Sequence, residues 1–585
     1  MKNDQQRIIK GIGVAPGVAV GPAFIIEQCG VPVPEYEIPS AQVEKELKRL
    51  HGAIVKVQKH LSQLQQKAVT LSSGAEDMTL LLDAYKGMLS GSRLIRGVEE
   101  YISKHRVNAE AAIQKQINAI KADFAAMDDP YLAARAEDVG EVGTRLLRSL
   151  LQQNYNPFTE APEGCVILAE EITPADAALL DPDSVVGFAT VLGGAEGHAA
   201  IIARALGLPA ISGVGALTHG IKTGDTIAID GRKGEIVIHP DAKTLQHYKE
   251  EVARKKHEYK RLKSLRDVPA VTSDGRAISL QANMELPRDL DMVASSGATG
   301  VGLLRTEFLF MNRATLPDEE EQYQTLKGMV EKLDGLPLTV RTLDVGGEKL
   351  ASALGPVEQS ANPALGLRAI RLGLKRPDLL DAQLTAILRA SMHGPIRILI
   401  PMVSHVTQMN QVRARVLQIE KKLHRRGIKL KGLPPLGAMI EIPSAALIAD
   451  SLAKVCDFFS IGSNDLTQYT LAIDRGDDSV ADLYDPFHPA ILRLIQFTVA
   501  AAWRANIPVA LCGEMAGDAR ATALLLGLGL RELSMSPLRL PAVKNEIMRT
   551  SLPQASKLAE QVMGKTNLSE IVELLQKRVS ESREK

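Results

Sequence analysis

Cysteine is scarce: the 585 residues hold four, Cys29, Cys165, Cys456 and Cys512, none of them at CxxC or metal-ligand spacing. That scatter argues against a cysteine-built metal centre and fits free thiols in a reducing compartment, so any functional cysteine acts alone. Net charge is absent as well. Lys plus Arg and Asp plus Glu both total 69, which removes the electrostatic reason to expect nucleic acid or an anionic membrane as the main partner. Long apolar runs are also missing. The opening "MKNDQQRIIKGIG" lacks the apolar core of a signal peptide, and stretches such as "ATALLLGLGL" are too short to span a bilayer. The expectation is a cytoplasmic chain with no nucleic-acid partner and no membrane insertion. What is present is an ordinary globular composition, 45% hydrophobic and 24% charged, on a chain far too long for one core.

The pattern along the chain divides it. Within residues 1–34, "RIIKGIGVAPGVAVGPAFI" reads as short strands and turns, too small to fold alone. Over 35–151 the pattern is helical. Val43, Leu47, Leu50, Ile54, Val57, Leu61, Leu64 and Ala68 alternate steps of four and three, one face of a long helix. Over 152–240, "GCVILAE", "SVVGFATVL", "LPAISGV", "DTIAID" and "GEIVIHP" return to strand character, which predicts a domain begun at the N-terminus and completed after a helical insertion. Residues 241–266 are dense in charge and free of Gly and Pro, a connecting helix of roughly 40 Å at 1.5 Å per residue. Over 267–585 eight apolar strands alternate with helical segments: "ISLQANM", "VGLLRTEF", "LTVRTLDVGG", "IRILIPMV", "LGAMIEIP", "FFSIGSND", "PVALCGEMAG" and "RELSMSP". That count specifies a (β/α)8 barrel better than an open sheet. Asn283, Arg305, Arg341, Glu441, Asn464, Asp465 and Cys512 fall where strands finish, on the rim where catalytic groups of such barrels collect.

In "LGGAEGHAAIIARALGLPAISG", Gly193 and Gly194 allow a tight turn, "HAAIIARAL" is helix-forming, and Gly207 and Pro209 are stop signals. His198 is thereby set at a helix start, where unpaired N–H groups and the positive end of the macrodipole disfavour imidazolium and favour a bound phosphoryl group. A neutral imidazole is a nucleophile; a histidine there also serves as a cap or as loop packing. The segment resembles the phosphohistidine domain shared by enzyme I of the phosphoenolpyruvate-dependent sugar phosphotransferase system, phosphoenolpyruvate synthase and pyruvate phosphate dikinase. The resemblance implies that His198 carries the phosphoryl group and Arg204 helps hold it. Where that family commonly has Ser, Thr or Cys before the histidine, this chain has Glu196 and Gly197.

Enolpyruvate chemistry asks for cations on a phosphate and a carboxylate, a hard divalent metal at the developing enolate, and a proton donor at carbon. Arg305, Arg341, Arg368 and Arg475 offer forked donors. Glu441 and Asp465, ending separate strands, suit Mg²⁺ held by two carboxylates plus substrate oxygens and water. Cys512, at the end of an apolar strand, is a protonated thiol that could donate a proton. Taken singly, each Arg is equally a surface ion pair, each carboxylate a structural group and the thiol core filling. Together, "GVGLLRTEFLFMNR", "RTLDVGG", "NPALGLRAIR", "IEIPSAA", "DFFSIGSNDLTQYTLAIDRG" and "LCGEMAGD" closely match enzyme I, with Ala361 standing where the family has Glu.

That resemblance implies an α/β multidomain fold: a phosphohistidine β/α swivelling domain with an inserted helical carrier-binding subdomain, then a C-terminal (β/α)8 TIM barrel. It implies that Arg305, Arg341, Arg368 and Arg475 bind phosphoenolpyruvate, Asn464 contacts its phosphate, Glu441 and Asp465 hold Mg²⁺, and Cys512 protonates the enolate. It also implies a homodimer through the barrel and a small histidine phosphocarrier, HPr or a paralogue, as partner. The synthase and dikinase would need a nucleotide-binding domain, and no P-loop or similar segment is found. Two alternatives stay open: a nitrogen-related enzyme I serving a paralogous carrier, and a regulatory phosphorelay scaffold. Tyr85 and "SGS" in "LDAYKGMLSGS" depart from the family's docking helix, read either as drift on a solvated face or as fit to a different carrier.

Overall fold

A computed structural model describes residues 6–584 apart from 27–32, 70–74, 126–129, 152–157, 159–160, 174–175, 177–178, 181–183, 193–201, 204–206, 216, 218–219, 311–314, 346–361, 475–479 and 481–482. The chain divides into two compact units, residues 1–258 and 259–585.

The first unit is built on one eight-stranded sheet. Its strands are β1 (Arg7–Lys10), β2 (Ile12–Ala15), β3 (Val18–Ile26), β4 (Cys165–Ala169), β5 (Val185–Thr190), β6 (Ala210–Ser212), β7 (Thr226–Asp230) and β8 (Glu235–Ile238), in the order β1-β8-β7-β3-β4-β5-β6-β2. β3 sits at its centre, parallel to β4 and antiparallel to β7, so strands more than a hundred residues apart in sequence share the ladder. β4 reads "CVILA" because both its faces are covered. Cys165, Ile167 and Ala169 point into one apolar cluster and Val166 and Leu168 into another, the alternation that a pleated strand imposes.

Between β3 and β4 run five helices: α1 (Val43–Val69), α2 (Ala75–Met88), α3 (Arg93–His105), α4 (Ala109–Ala125) and α5 (Pro130–Leu150). On α1 the residues Leu50, Ile54, Val57, Leu61 and Leu64 are all buried, the stripe anticipated from their spacing. The connecting helix covers Ala242–Ser264, 23 residues, or roughly 35 Å.

The second unit is a closed barrel of eight parallel strands: β9 (Ser279–Met284), β10 (Val301–Arg305), β11 (Leu338–Arg341), β12 (Ile396–Ile400), β13 (Leu436–Ile440), β14 (Phe458–Ile461), β15 (Val509–Leu511) and β16 (Glu532–Met535). The expected (β/α)8 barrel is therefore found, with each anticipated strand in place. Its main core lies between strands and surrounding helices, whereas Leu303, Leu399, Met439, Phe458 and Cys512 form a separate apolar cluster. Consecutive parallel strands enclose that cluster and aim their C-terminal ends at one rim.

Candidate active site

Arg305 and Arg341 are the last residues of β10 and β11, Glu441 directly follows β13, and Cys512 directly follows β15. Asp465 departs from the expected strand end. Gly462 breaks β14, and Asp465 stands with Asn464 in the first turn of the helix Ser463–Leu471, so a helix start sets its direction. Arg368 immediately precedes the helix Ala369–Lys375.

The rim is organised by two carboxylates that sequence reasoning did not single out. Arg341 is buried and donates from Nη2 to Glu307 Oε1 at 2.8 Å, while its Nη1 lies 3.1 Å from Asp344 Oδ2. Asp344 Oδ1 accepts from Arg368 Nη2 at 2.9 Å and Nε at 3.2 Å, so one carboxylate aligns two guanidinium groups. Glu307 Oε1 also accepts the backbone N–H of Asp344 at 3.1 Å. Burial works against the charge on Arg341, but Glu307 and Asp344, then Glu441 and Asp465, hold it firmly protonated. Both residues lay inside quoted motifs, "RTEF" and "RTLD", and the three-residue step from Arg341 to Asp344 was the available signal. Arg305 is partly exposed and paired with Glu285.

Glu441 is fully buried. Its Oε1 accepts the Met402 N–H at 2.5 Å, and Oε2 has no hydrogen-bond partner among the described residues. Met402 presents that N–H from a left-handed backbone, φ 56°, a conformation that costs a side-chain-bearing residue about 1 kcal/mol or more and that active sites retain. Desolvation, then Asp344 and Asp465, push the Glu441 carboxyl up to about 8. A Cβ on Gly462 would stand 3.0 Å from Glu441 Oε2, so glycine keeps the approach to that oxygen open. A buried carboxylate oxygen without a donor, facing further carboxylate charge, is a fitting ligand for a hard divalent cation. Among the described residues no three His, Cys, Asp or Glu side chains are grouped as a metal cage, so such an ion would complete its shell with substrate oxygens and water.

Cys512 is buried, its N–H donates to Ile461 O at 3.0 Å, and its Sγ lies 3.5 Å from the same carbonyl. Burial pushes the thiol up to about 11, which keeps it a proton donor at neutral pH. Asn464 Oδ1 accepts the Glu514 N–H at 2.9 Å. Arg341 Nε, Glu307 Oε2 and Ser463 Oγ are also buried without partners among the described residues. The structure thus brings together Arg341, Arg368, Glu441 and Asp465 electrostatically, with Cys512 influenced by Glu441, Arg341 and Arg305. His198, Arg204 and Arg475 lie outside the described residues, as do Glu196, Gly197 and Ala361.

In the helical insertion, Tyr85 corrects both readings offered for it. It is 1% exposed, and its hydroxyl donates to Asp138 Oδ1 at 3.2 Å, so it belongs to the core and faces no docking partner. Leu82, Tyr85 and Leu89, all buried, lie three and four residues apart, a spacing that placed Tyr85 on the inner stripe.

Profiles of PEP-utilising enzymes match the chain in three consecutive parts: the N-terminal domain over residues 10–135, the mobile domain over 161–234 and the PEP-binding domain over 259–552. The phosphoenolpyruvate-protein phosphotransferase of Cupriavidus necator is 41% identical over 566 residues, 95% of this chain and 96% of that protein. The enzyme of the same name from Listeria monocytogenes is 38% identical over 576 residues, covering 98% and 99%. That of Bacillus subtilis is 38% identical over 564 residues, covering 96% and 98%.

Proposed function

The chain belongs to the phosphoenolpyruvate-protein phosphotransferase family and is an enzyme with phosphoenolpyruvate as phosphoryl donor; from that premise we propose that His198 receives the group and passes it to a histidine of a small carrier. The observation that carries the reading is the buried, partnerless Oε2 of Glu441 beside Asp465 and the Arg341–Asp344–Arg368 cluster. Arg305, Arg341, Arg368 and Arg475 take the phosphate and carboxylate oxygens, Asn464 adds a contact to phosphate, and Arg204 supports the phosphohistidine. Glu441 and Asp465 would hold Mg²⁺, which when bound would supply positive charge for the enolate and phosphoryl oxygens.

A nitrogen of the His198 imidazole attacks phosphorus, the bridging P–O bond breaks as the P–N bond forms, and the enolate of pyruvate is left. The Cys512 thiol then gives its proton to C3 of the enolate, which becomes pyruvate; the thiolate regains a proton from solvent. Glu307 and Asp344 fix the Arg341 and Arg368 donors before substrate arrives, the condition under which electrostatic stabilisation is strongest.

One histidine serving both the barrel rim and a carrier has to travel, and the connecting helix and compact β/α domain suit a swivel. In this reading the barrel also mediates homodimerisation. Leu447 and Phe497 are 65% and 50% exposed on the neighbouring helices Pro443–Leu447 and Pro489–Ala505, apolar side chains that a second barrel would cover. Cys165, Cys456 and Cys512 are free and buried, in keeping with the reducing cytoplasm; among the described residues no helix is long and apolar enough to cross a membrane.

The carrier is HPr, with its nitrogen-system paralogue as the second reading. Burial of Tyr85 removes one sequence reason for preferring the paralogue. A regulatory scaffold has no use for a rim of aligned arginines and a destabilised buried carboxylate. The test is labelled phosphoenolpyruvate with Mg²⁺ and either carrier: pyruvate release and label on HPr are expected. Label confined to the paralogue reassigns the partner, and label that never leaves the enzyme supports the scaffold.

A further inference from the structure

Cys512 is fixed from a direction that its own strand does not supply. One residue beyond the β15–β16 register, its carbonyl accepts Asn283 Nδ2 at 3.0 Å, and Asn283 Oδ1 accepts the hydroxyl of Ser534 at 2.6 Å. Asn283 lies on β9 and Ser534 on β16, paired neighbours in the barrel, so the amide reaches past β16 to the end of β15. Ser534 is fully buried. Room for it is made by Gly302 on β10, where a Cβ would fall 2.5 Å from Ser534 Oγ and 2.6 Å from its Cβ. The thiol side is held too, by Ile461 O, which receives both the N–H and the Sγ of Cys512.

One end of a half-buried amide is thus committed to the Cys512 carbonyl and the other to the Ser534 hydroxyl, beside a cluster that is otherwise Leu303, Leu399, Met439 and Phe458. An apolar residue at 283 would avoid the desolvation cost. The arrangement is a support built from the second layer around a reacting group, the kind that holds a donor within the narrow distance that proton transfer requires.

We propose that Asn283, oriented by Ser534, is a positioning residue that fixes the Cys512 peptide so that the thiol protonates one face of the enolate before it escapes. This rests on the reading of Cys512 as proton donor. Phosphoryl transfer precedes that step and is independent of it. Loosening the peptide therefore leaves phosphorylation of His198 intact and slows delivery of the proton to C3. An enolate not protonated in place leaves and takes its proton from water on either face.

The test uses the full chain with its carrier and compares Asn283→Ala, Ser534→Ala and Cys512→Ser with the wild type. Single-turnover labelling by phosphoenolpyruvate and steady pyruvate formation are measured together. The methyl handedness of pyruvate made from stereospecifically isotope-labelled phosphoenolpyruvate is read alongside. For Asn283→Ala we expect labelling within about twofold of wild type, pyruvate formation down about tenfold or more, and loss of single handedness, since small displacements of a reacting group are this costly. Ser534→Ala should show the same signature more weakly, and it decides the matter if Asn283→Ala does not fold. Wild-type turnover and handedness in both folded variants overturn the proposal, as do labelling and turnover that fall together with handedness kept. Should Cys512→Ser make pyruvate of one hand at the wild-type rate, the donor reading fails and this proposal with it. If Cys512→Ser loses handedness while Asn283→Ala and Ser534→Ala do not, only the positioning claim fails.

Discussion

Two charged clusters at opposite ends of the barrel differ in how fully their polar atoms are paired. Toward the N-terminal ends of the strands, Arg397 on β12 meets Glu532 on β16 at 3.0 Å, covers the Phe458 ring at 5.6 Å, and shares Glu532 with Gln281. At the C-terminal rim, Arg341, Asp344, Glu307, Asp465 and Glu441 are crowded together with Glu441 Oε2, Arg341 Nε and Glu307 Oε2 left without partners. The Arg397–Glu532 pair at one end is structure, and the exception there is Arg531 just before β16, whose buried Nε has no partner among the described residues. Unmatched charge at the other is stored for something that arrives, because a buried polar group without a partner costs on the order of 1–3 kcal/mol.

The sharpest way to break that contrast is Glu441→Ala or Asp465→Ala, expected to lower phosphorylation by phosphoenolpyruvate about a thousandfold, the scale of losing metal and electrostatic stabilisation. Return of phosphate from a labelled carrier to His198 should be spared in both; equal loss of the two reactions contradicts the division of labour. Next comes Cys512→Ser, with pyruvate formation down about a hundredfold and single-turnover labelling retained, since a hydroxyl is a far weaker acid than a thiol. In the proposed role the acid form is the active one, and burial raises the thiol to about 11. Cys512 therefore adds no alkaline fall in pyruvate formation until pH approaches about 11, and a break about two units lower in wild type that Cys512→Ser lacks would contradict the raised value.

At the opposite end, Arg397→Met should leave turnover within about twofold and cost about 1 kcal/mol of stability in thermal unfolding, given that the pair is partly solvated. A large loss of catalysis there would erase the distinction between the two ends. Smallest is Tyr85→Phe, expected to cost about 1 kcal/mol through the lost bond to Asp138 and to leave carrier affinity unchanged. A tenfold change in carrier affinity would return Tyr85 to the docking surface.

The fold was readable because its signals are local. Eight apolar strands with polar ends, and the steps of three and four on α1, follow from pleat and helix geometry within a few residues. The rim was readable as a set of residue types, Arg305, Arg341, Arg368, Glu441, Asp465 and Cys512. Their partners were not. Glu307 reaches Arg341 across 34 residues between neighbouring strand ends, and Asn283 reaches Cys512 across 229 through barrel closure, pairings that no short spacing records. Asp465 was misplaced by four residues because Gly462 ends β14 early and a helix start supplies the carboxylate. Tyr85 was misread because its polar tip suggested solvent, although the stripe of Leu82 and Leu89 turned it inward.

In the proposed mechanism, phosphoenolpyruvate bound at the rim phosphorylates His198. The full chain and folded His198→Ala, each incubated with radiolabelled phosphoenolpyruvate and Mg²⁺ and digested at alkaline pH, give the direct measurement. Acid-labile label on the peptide containing His198 in the wild type, and none on the variant, is the expected result. Acid-labile label on the folded variant, or on a different peptide of the wild type, contradicts it.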